Sequence, residues 1–287
     1  MRQTPQTETS TAISPSPGVG SGRSCSTSGA RSTGAGREST HARIRQSLHS
    51  RALNVLLFDD TDELEPGRVC VRDRRLRHVR EILRAKPGDE LAVGKLGGRL
   101  GRGRIRALGE EELELEVTLE RDPPPAHPAV LALALPRPPS LRKVLQQATA
   151  MGVKRFLLFG SARVENSFWQ SSALRPDAIR AELVLGLEQA GDTVLPTVER
   201  ARGFRAFVAE SLPALAAGAP ILAAHPGADG AEPPPHGRLA LVVGPEGGFL
   251  EHELAALAGA GARGTSLGPR VLRVETAVVA LLARCAG

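Results

Sequence analysis

The sequence predicts an α/β protein in two parts, a small β-barrel followed by a larger domain built on a mainly parallel sheet. Short strand-like runs separated by Pro-Gly and Gly-Gly turns fill residues 53–124. From Ala129 onward apolar strands alternate with helical stretches, the rhythm of a sheet with helices on its faces. Between the two, Pro123-Pro124-Pro125 reads as a stiff linker. A chain of 287 residues, 41% hydrophobic and 24% charged, has enough length and apolar content for a real core.

Residues 1–52 stand apart. The first 50 hold 18 Ser or Thr and only four of Ile, Val, Leu and Phe, too little to offset the entropy of ordering them. Disorder is one reading. An Arg-rich, acid-poor transit peptide is another, and a native start near Leu53, leaving 1–52 as a non-native extension, is a third. No run approaches ~18 apolar residues and no apolar core follows Met1, so neither a membrane span nor a secretory signal is expected. A cytoplasmic location is the expectation unless 1–52 act as a transit peptide. Cys25, Cys70 and Cys285 are odd in number and far apart, and no two of the seven histidines sit at ligand spacing. Neither a disulfide framework nor a metal site is expected.

Order begins at Leu53. Strands are predicted at Leu53–Phe58, Arg68–Val71, Glu90–Val93, Leu100–Ala107 and the alternating Leu113–Leu119. Turns fall at Pro66-Gly67, Pro87-Gly88-Asp89 and Gly97-Gly98, and Leu76–Leu83 has helical spacing. In the second part Val130–Leu135 is a strand and Ser140 the N-cap of a helix over Leu141–Met151. A strand at Phe156–Phe159 precedes a helix over Pro176–Gln189, opened by its proline. Phe204–Leu215 is helical with Pro213 interrupting or ending it, and Ile221–Ala224 and Leu239–Val243 are strands. Glu251–Leu257 is helical, Thr265–Leu267 extended, and Val271–Ala283 a nearly apolar closing helix.

The formal charge of +6 is unevenly distributed. Residues 68–106 carry 13 basic and four acidic side chains, whereas 107–122 carry seven acids against Arg121. Such a basic stretch suits phosphate neutralisation, with Arg72, Arg74, Arg75, Arg77, Arg80 and Arg84 as the candidates for RNA binding. The competing reading is a solvated basic face.

Several motifs fail their structural context. Gly259-Ala260-Gly261-Ala262-Arg263-Gly264 matches a dinucleotide loop but follows a helix and leads into a strand, so it reads as a helix end and turn. Gly264-Thr265-Ser266-Leu267-Gly268 matches a nucleophile elbow, yet no His or Asp follows it. His252-Glu253 lacks the second histidine of a zinc motif.

Three segments survive, each placing glycines or polar groups directly after an apolar strand. They are Ile221–Pro226 with His225, Leu241–Phe249 with Gly244-Pro245-Glu246-Gly247-Gly248, and Thr265–Ala277 with Gly268-Pro269-Arg270. Ligands in open α/β sheets bind beyond the carboxyl ends of the strands, where such loops gather. Gly244, Gly247 and Gly248 are expected to supply positive φ and close backbone approach. Val243–Phe249 followed by Leu267-Gly268-Pro269-Arg270-Val271-Leu272-Arg273-Val274-Glu275-Thr276-Ala277 closely resembles the 16S ribosomal RNA (uracil-N3)-methyltransferase family of the SPOUT class. The resemblance extends through Leu53–Phe58, His78–Arg84 and Lys86–Asp89, and Ala134–Pro138 and Gly186–Pro196 resemble a subgroup. Leu250 stands where the family often has a capping Ser, and Gln147 and Ala150 where many members have Lys and Glu.

The resemblance implies a PUA-like barrel over 53–124 and a trefoil-knotted α/β domain over 125–287. It also implies a homodimer and methylation of uracil N3 in 16S rRNA of the small ribosomal subunit. S-adenosyl-L-methionine (SAM) would lie among the three loops, held by His225, Val243, Gly244, Pro245, Glu246, Gly247, Gly248, Leu267, Gly268, Leu272 and Thr276. Loss of the N3 proton places negative charge on O2 and O4, which Arg270 and Arg273 would stabilise unless they pair with Glu246 or Glu275. Glu275 or Glu246 would accept the proton. Arg273→Ala is expected to abolish methylation and leave the fold intact. Trp169 either stacks on a base or packs. Two other readings remain: a SPOUT ribose 2′-O-methyltransferase, whose usual Ser-Leu-Asn run is replaced here by Arg273-Val274-Glu275-Thr276-Ala277, and a non-catalytic RNA-binding assembly factor.

Overall fold

A computed structural model of the chain describes residues 55–228, 230–233 and 237–286. The reading of 1–52, and the first two residues of the strand expected at Leu53–Phe58, lie outside them. The small sheet contains β1 (Leu56–Phe58), β2 (Glu63–Glu65), β3 (Arg68–Val71), β4 (Glu90–Lys95), β5 (Leu100–Leu108) and β6 (Leu113–Arg121), ordered β1-β4-β5-β6-β3-β2. β1 and β4 run parallel and the other pairs antiparallel. Strand β2, Glu-Leu-Glu, has no apolar pattern to announce it; it forms because Pro66-Gly67, with Gly67 at φ 81°, folds it onto β3.

Asp73 caps α1 (Arg74–Arg77) by accepting the backbone N–H of Arg75, and the helix continues as a π turn over His78–Ile82. Its Leu76 and Val79 bury against Phe58, Val71, Ile105 and Leu115 inside the curled sheet.

The second sheet has β7 (Ala129–Ala134), β8 (Arg155–Phe159), β9 (Thr197–Ala201), β10 (Ile221–Ala224), β11 (Leu239–Val243) and β12 (Ala262–Thr265). Its order is β12-β10-β11-β7-β8-β9 and every pairing is parallel. The helices are α2 (Pro138–Ala150), α3 (Pro176–Ala190), α4 (Phe204–Ala206), α5 (Leu212–Ala216), α6 (Glu251–Gly259) and α7 (Val274–Cys285). Both faces of the sheet are covered, which is why its strands read as unbroken apolar runs. Leu131, Leu133, Phe156 and Leu241 bury against Leu141, Leu145, Leu183 and Val278 on one side. Ala132, Leu157, Phe159 and Val242 meet Phe207, Leu212 and Leu257 on the other.

Some boundaries differ from expectation. Helix α2 begins at Pro138 with Arg137 as N-cap, not at Ser140, because prolines suit a first turn whose N–H groups have no intrahelical partner. Pro213 does not end its helix. It sits in the first turn of α5, after a π turn over Phe207–Ser211, and the helix runs to Ala216. The extended segment expected at Thr265–Leu267 lies earlier, as β12, and α7 starts at Val274, leaving Val271–Arg273 in a loop. Strand β9, unforeseen, is an edge strand with few apolar residues. The helix end and turn expected at 259–264 is present, with Ala260 as C-cap and Gly261 at φ 85°. No described helix is long and apolar enough to cross a membrane.

The Gly186–Pro196 motif forms the seam between the sheets. Glu188 accepts two bonds from Arg74 at 3.0 and 2.9 Å, and its carbonyl accepts Val55 N–H. Thr193 bonds Gly98 and Gly97 through its hydroxyl and carbonyl, while buried Asp192 pairs with Lys154 at 2.5 Å. Gly186 permits the close crossing of α2 and α3; a Cβ there would stand 2.5 Å from the carbonyl oxygen of Gln146.

His127 ties the linker to α7. Its Nδ1 accepts Ala129 N–H at 3.0 Å, so Nε2 carries the proton and donates to the Leu282 carbonyl at 3.0 Å. Burial pushes its pKa below the ordinary histidine value, outweighing the opposing pull of that carbonyl. The folded state therefore favours neutral His127. This contribution is complete above the unfolded pKa of about 6.5 and is lost as pH falls below it toward the folded value. A Tm that falls between pH 7 and 5 in the native chain, and less steeply in His127→Gln, is the expected result of thermal melts.

Candidate active site

Because β12, β10 and β11 are parallel neighbours, the loops that follow them emerge side by side at one edge. Together they line a cleft. His225, Val243, Gly244, Pro245, Glu246, Gly247, Gly248, Leu267, Gly268, Arg270 and Leu272 all contribute to it. The structure thus brings together most of the expected cofactor residues and one of the two arginines.

The glycines act in two ways. Gly248 and Gly268 have φ of 71° and 101°, where a side chain would be strained. Gly244 and Gly247, expected to supply positive φ, do not. A Cβ on Gly244 would crowd the Phe249 ring at 3.2 Å, and one on Gly247 would sit 3.0 Å from Arg163 Cδ. Their role is close approach.

Arg163, which the sequence reading passed over, lines the cleft and donates to the Gly247 carbonyl. It follows strand β8 and so obeys the same strand-end rule as the others. Glu253, also unforeseen, is buried; its carboxylate accepts Ala162 N–H at 2.8 Å and Leu250 N–H at 2.9 Å. One carboxylate thereby fixes both the loop bearing Arg163 and the end of the glycine loop. It also supplies half of a capping box at Leu250, which has no side-chain acceptor. Glu246 accepts Arg137 N–H at 3.0 Å, tying the loop after β7 to the same glycine turn.

Three expected site residues lie outside the cleft lining. Arg273 is exposed at the N-cap of α7, and Thr276 is exposed on that helix. Glu275 is buried and pairs with Lys143 of α2 at 3.3 Å. Its pKa is held below the ordinary carboxylate value, by a backbone N–H first and by Lys143 and Ser140 as well, which makes it a weak base. Neither Arg270 nor Arg273 has an acidic ion-pair partner among the described residues.

The basic stretch in the small sheet changes meaning once strands pair. β5 lies against acid-rich β6, and Arg106 pairs with Glu116, Arg99 with Asp122, Arg72 with Glu112 and Arg80 with Glu81. Arg74 serves the seam through Glu188. Arg75 is largely buried, bonding Asp62 through two nitrogens at 2.7 and 2.8 Å, Asp73 at 2.9 Å and the Leu57 carbonyl at 2.7 Å. As an RNA ligand it is excluded by these bonds. Arg77 and Arg84 remain without an ion pair among the described residues. Arg75→Ala would strand the buried Asp62 charge and is expected to destabilise by roughly 3 kcal/mol, measurable by urea unfolding.

The cleft can receive an uncharged, planar or apolar group against main-chain atoms. His225 Nδ1 is buried there without a hydrogen-bond partner, an orphaned polar atom that a polar ligand would satisfy. Among the described residues no His, Cys, Asp and Glu side chains gather as a metal ion requires.

Comparison with known proteins follows the same lines. The RNA methyltransferase domain family matches residues 123–286. A ribosomal RNA small subunit methyltransferase E of Mycobacterium bovis is 32% identical over 212 residues, covering 71% of this chain and 80% of that protein. Its counterpart in Treponema pallidum is 27% identical over 238 residues, 80% of this chain and 90% of its own. In fold, the chain is similar to the crystal structure of a ribosomal RNA small subunit methyltransferase E from Neisseria gonorrhoeae bound to S-adenosyl methionine. The TM-score is 0.62 at 23% identity, over 80% of this chain and 95% of that one. A Legionella pneumophila protein in complex with the same cofactor gives 0.63 at 24%, over 80% and 96%. From the match over 123–286 and the shared identity along most of both lengths, the chain belongs to the ribosomal RNA small subunit methyltransferase E family, within the RNA methyltransferase domain class.

Proposed function

We propose that this protein is a SAM-dependent methyltransferase of 16S rRNA in the small ribosomal subunit, acting on N3 of a uracil. The single observation that carries the reading is the convergence of the three strand-end loops into one cleft. The glycine loop and the loop at Gly268 would hold SAM against bare backbone, with His225 Nδ1 as an added polar contact. When bound, SAM supplies an electrophilic methyl group on a sulfonium.

The chain's own residues do the rest. Arg270, on the cleft wall, stabilises the negative charge that proton loss from N3 places on O2 and O4. Arg273 stands three residues on, at the start of α7, as a second guanidinium for the same charge or for a phosphate. Glu246 is left as the carboxylate nearest the cleft, because Glu275 is engaged by Lys143. Strand order supports reading the second half as a SPOUT trefoil knot: β11 enters between β10 and β7, and α7 returns to pack against α2. The curled sheet supports a PUA-like domain over 53–124. Val271, 80% exposed at the cleft mouth, is apolar surface that a homodimer would cover.

Incubating the full chain with SAM and small-subunit RNA, then analysing nucleosides by mass spectrometry, tests the reading. 3-Methyluridine is the expected product. A 2′-O-methylated nucleoside would indicate the ribose enzyme instead, and SAM binding without any methylated nucleoside would refute the assignment.

A further inference from the structure

Resting on that reading, the structure points to where the RNA lies. All six strands of the second sheet are parallel, so every loop after a strand emerges at one edge. Arg137 follows β7, Arg163 β8, Arg202 β9, and Arg270 and Arg273 follow β12. All five are exposed, and none has an acidic ion-pair partner among the described residues. In the small sheet most arginines are instead matched to acids, as Arg68 is to Glu114, Arg72 to Glu112, Arg102 to Glu90 and Arg106 to Glu116, while Arg77, Arg84 and Arg104 have no ion pair among the described residues. The unpaired guanidiniums that continue outward from the cleft therefore lie along the carboxyl edge of the second sheet.

At the β8–β9 end of that edge stands the protein's one tryptophan. A 3-10 turn over Asn166–Gln170 presents Trp169, half-buried, with the Arg202 guanidinium 5.6 Å from its ring centroid. Gly160 makes the arrangement possible: a Cβ there would lie 2.0 Å from the Arg202 carbonyl oxygen and 3.6 Å from the Trp169 ring. An exposed guanidinium held near an indole offers a cationic and aromatic surface of the kind that receives an unpaired base, whereas duplex RNA keeps its bases stacked inside. From β12 to β9 the edge crosses five inter-strand spacings, roughly 24 Å, room for several nucleotides.

We infer that a single-stranded RNA segment runs along this edge, from the cleft past Arg163 to a base-stacking platform formed by Trp169 and Arg202. A protein partner would need an apolar centre to its interface, and the edge offers spaced guanidiniums instead.

Fluorescence anisotropy of the full chain with a single-stranded oligoribonucleotide, and with the same sequence as a duplex, tests this. Trp169→Leu is expected to weaken single-strand binding at least about fivefold, while Trp169→Phe retains most of it. Arg202→Ala should weaken binding and lower the slope of log affinity against log salt by about 0.7, one phosphate contact on a single strand. SAM affinity by calorimetry, and Tm, should stay at the native value in Arg202→Ala. Arg106→Ala in the small sheet, whose partner is Glu116, should change RNA affinity little. Native RNA affinity and salt slope in folded Arg202→Ala would overturn the inference, as would tighter native binding of the duplex than of the single strand. If the native chain methylates RNA but these variants bind it normally, the platform alone falls. If the native chain transfers no methyl group, the proposed function falls, and the binding measurements still decide the platform.

Discussion

Arg270→Ala is expected to lower kcat for methylation by a factor on the order of 10²–10³ with little change in Tm. Arg270 is exposed, lines the cleft and has no acidic partner among the described residues, so its removal breaks no structural bond. What is lost is a donor for charge that develops only as N3 gives up its proton, and the loss of one such donor carries an effect of that size. Arg270→Lys should recover part of it, since an ammonium keeps the charge without the planar fork. Single-turnover assays with saturating SAM and RNA separate this from binding. A kcat within threefold of native would remove Arg270 from the reaction. Arg273→Ala, first expected to abolish methylation, should now have the smaller effect, because its side chain stands outside the cleft lining.

Glu253→Gln is expected to cost roughly 3 kcal/mol of stability and to weaken SAM binding. The buried carboxylate accepts backbone N–H groups from Ala162 and Leu250, and a glutamine presents one oxygen and one competing N–H₂ group to those two donors. A charged acceptor bond is replaced by an unsatisfied buried amide, at a typical cost of 1–3 kcal/mol for each group affected. Loss of about 3 kcal/mol lowers Tm by roughly 6–12 °C in a chain of this size. The exposed Glu251 on the same turn is the control, and Glu251→Gln should stay within about 0.5 kcal/mol of native. Calorimetric titration of SAM into Glu253→Gln below its melting range then shows whether the glycine loop needs this anchor.

The cleft was legible in the sequence because its logic is local. An apolar run followed at once by Gly, Pro and a polar residue marks the carboxyl end of a strand, and three such ends gave His225, Gly244–Gly248 and Gly268–Arg270. The same rule applied to Phe159-Gly160-Ser161-Ala162-Arg163 would have added Arg163, the residue that braces Gly247. Glu253 carried a signal too, three residues after a helix start, but nothing local reveals that its second oxygen reaches Ala162, 91 positions away. The glycines show the boundary closely. Their presence was readable, whereas the demand for close approach at Gly244 and Gly247 comes from Phe249 and from the distant Arg163.

Sequence alone determined the class of the fold, most of its strands, and the family to which the closing motif points, because periodicity, turn chemistry and short motifs are properties of neighbouring residues. Only tertiary structure decided which charges are available. A stretch of 13 basic residues loses most of its reach for phosphate when β5 and β6 pair and arginines meet glutamates across the ladder, and Arg75 becomes a structural tie to Asp62. Glu275 likewise turns from a candidate base into the partner of Lys143 when α7 packs on α2. The reason is physical: the free energy of a charge depends on what surrounds it in space, and in this chain the deciding neighbours lie as far as 132 residues away.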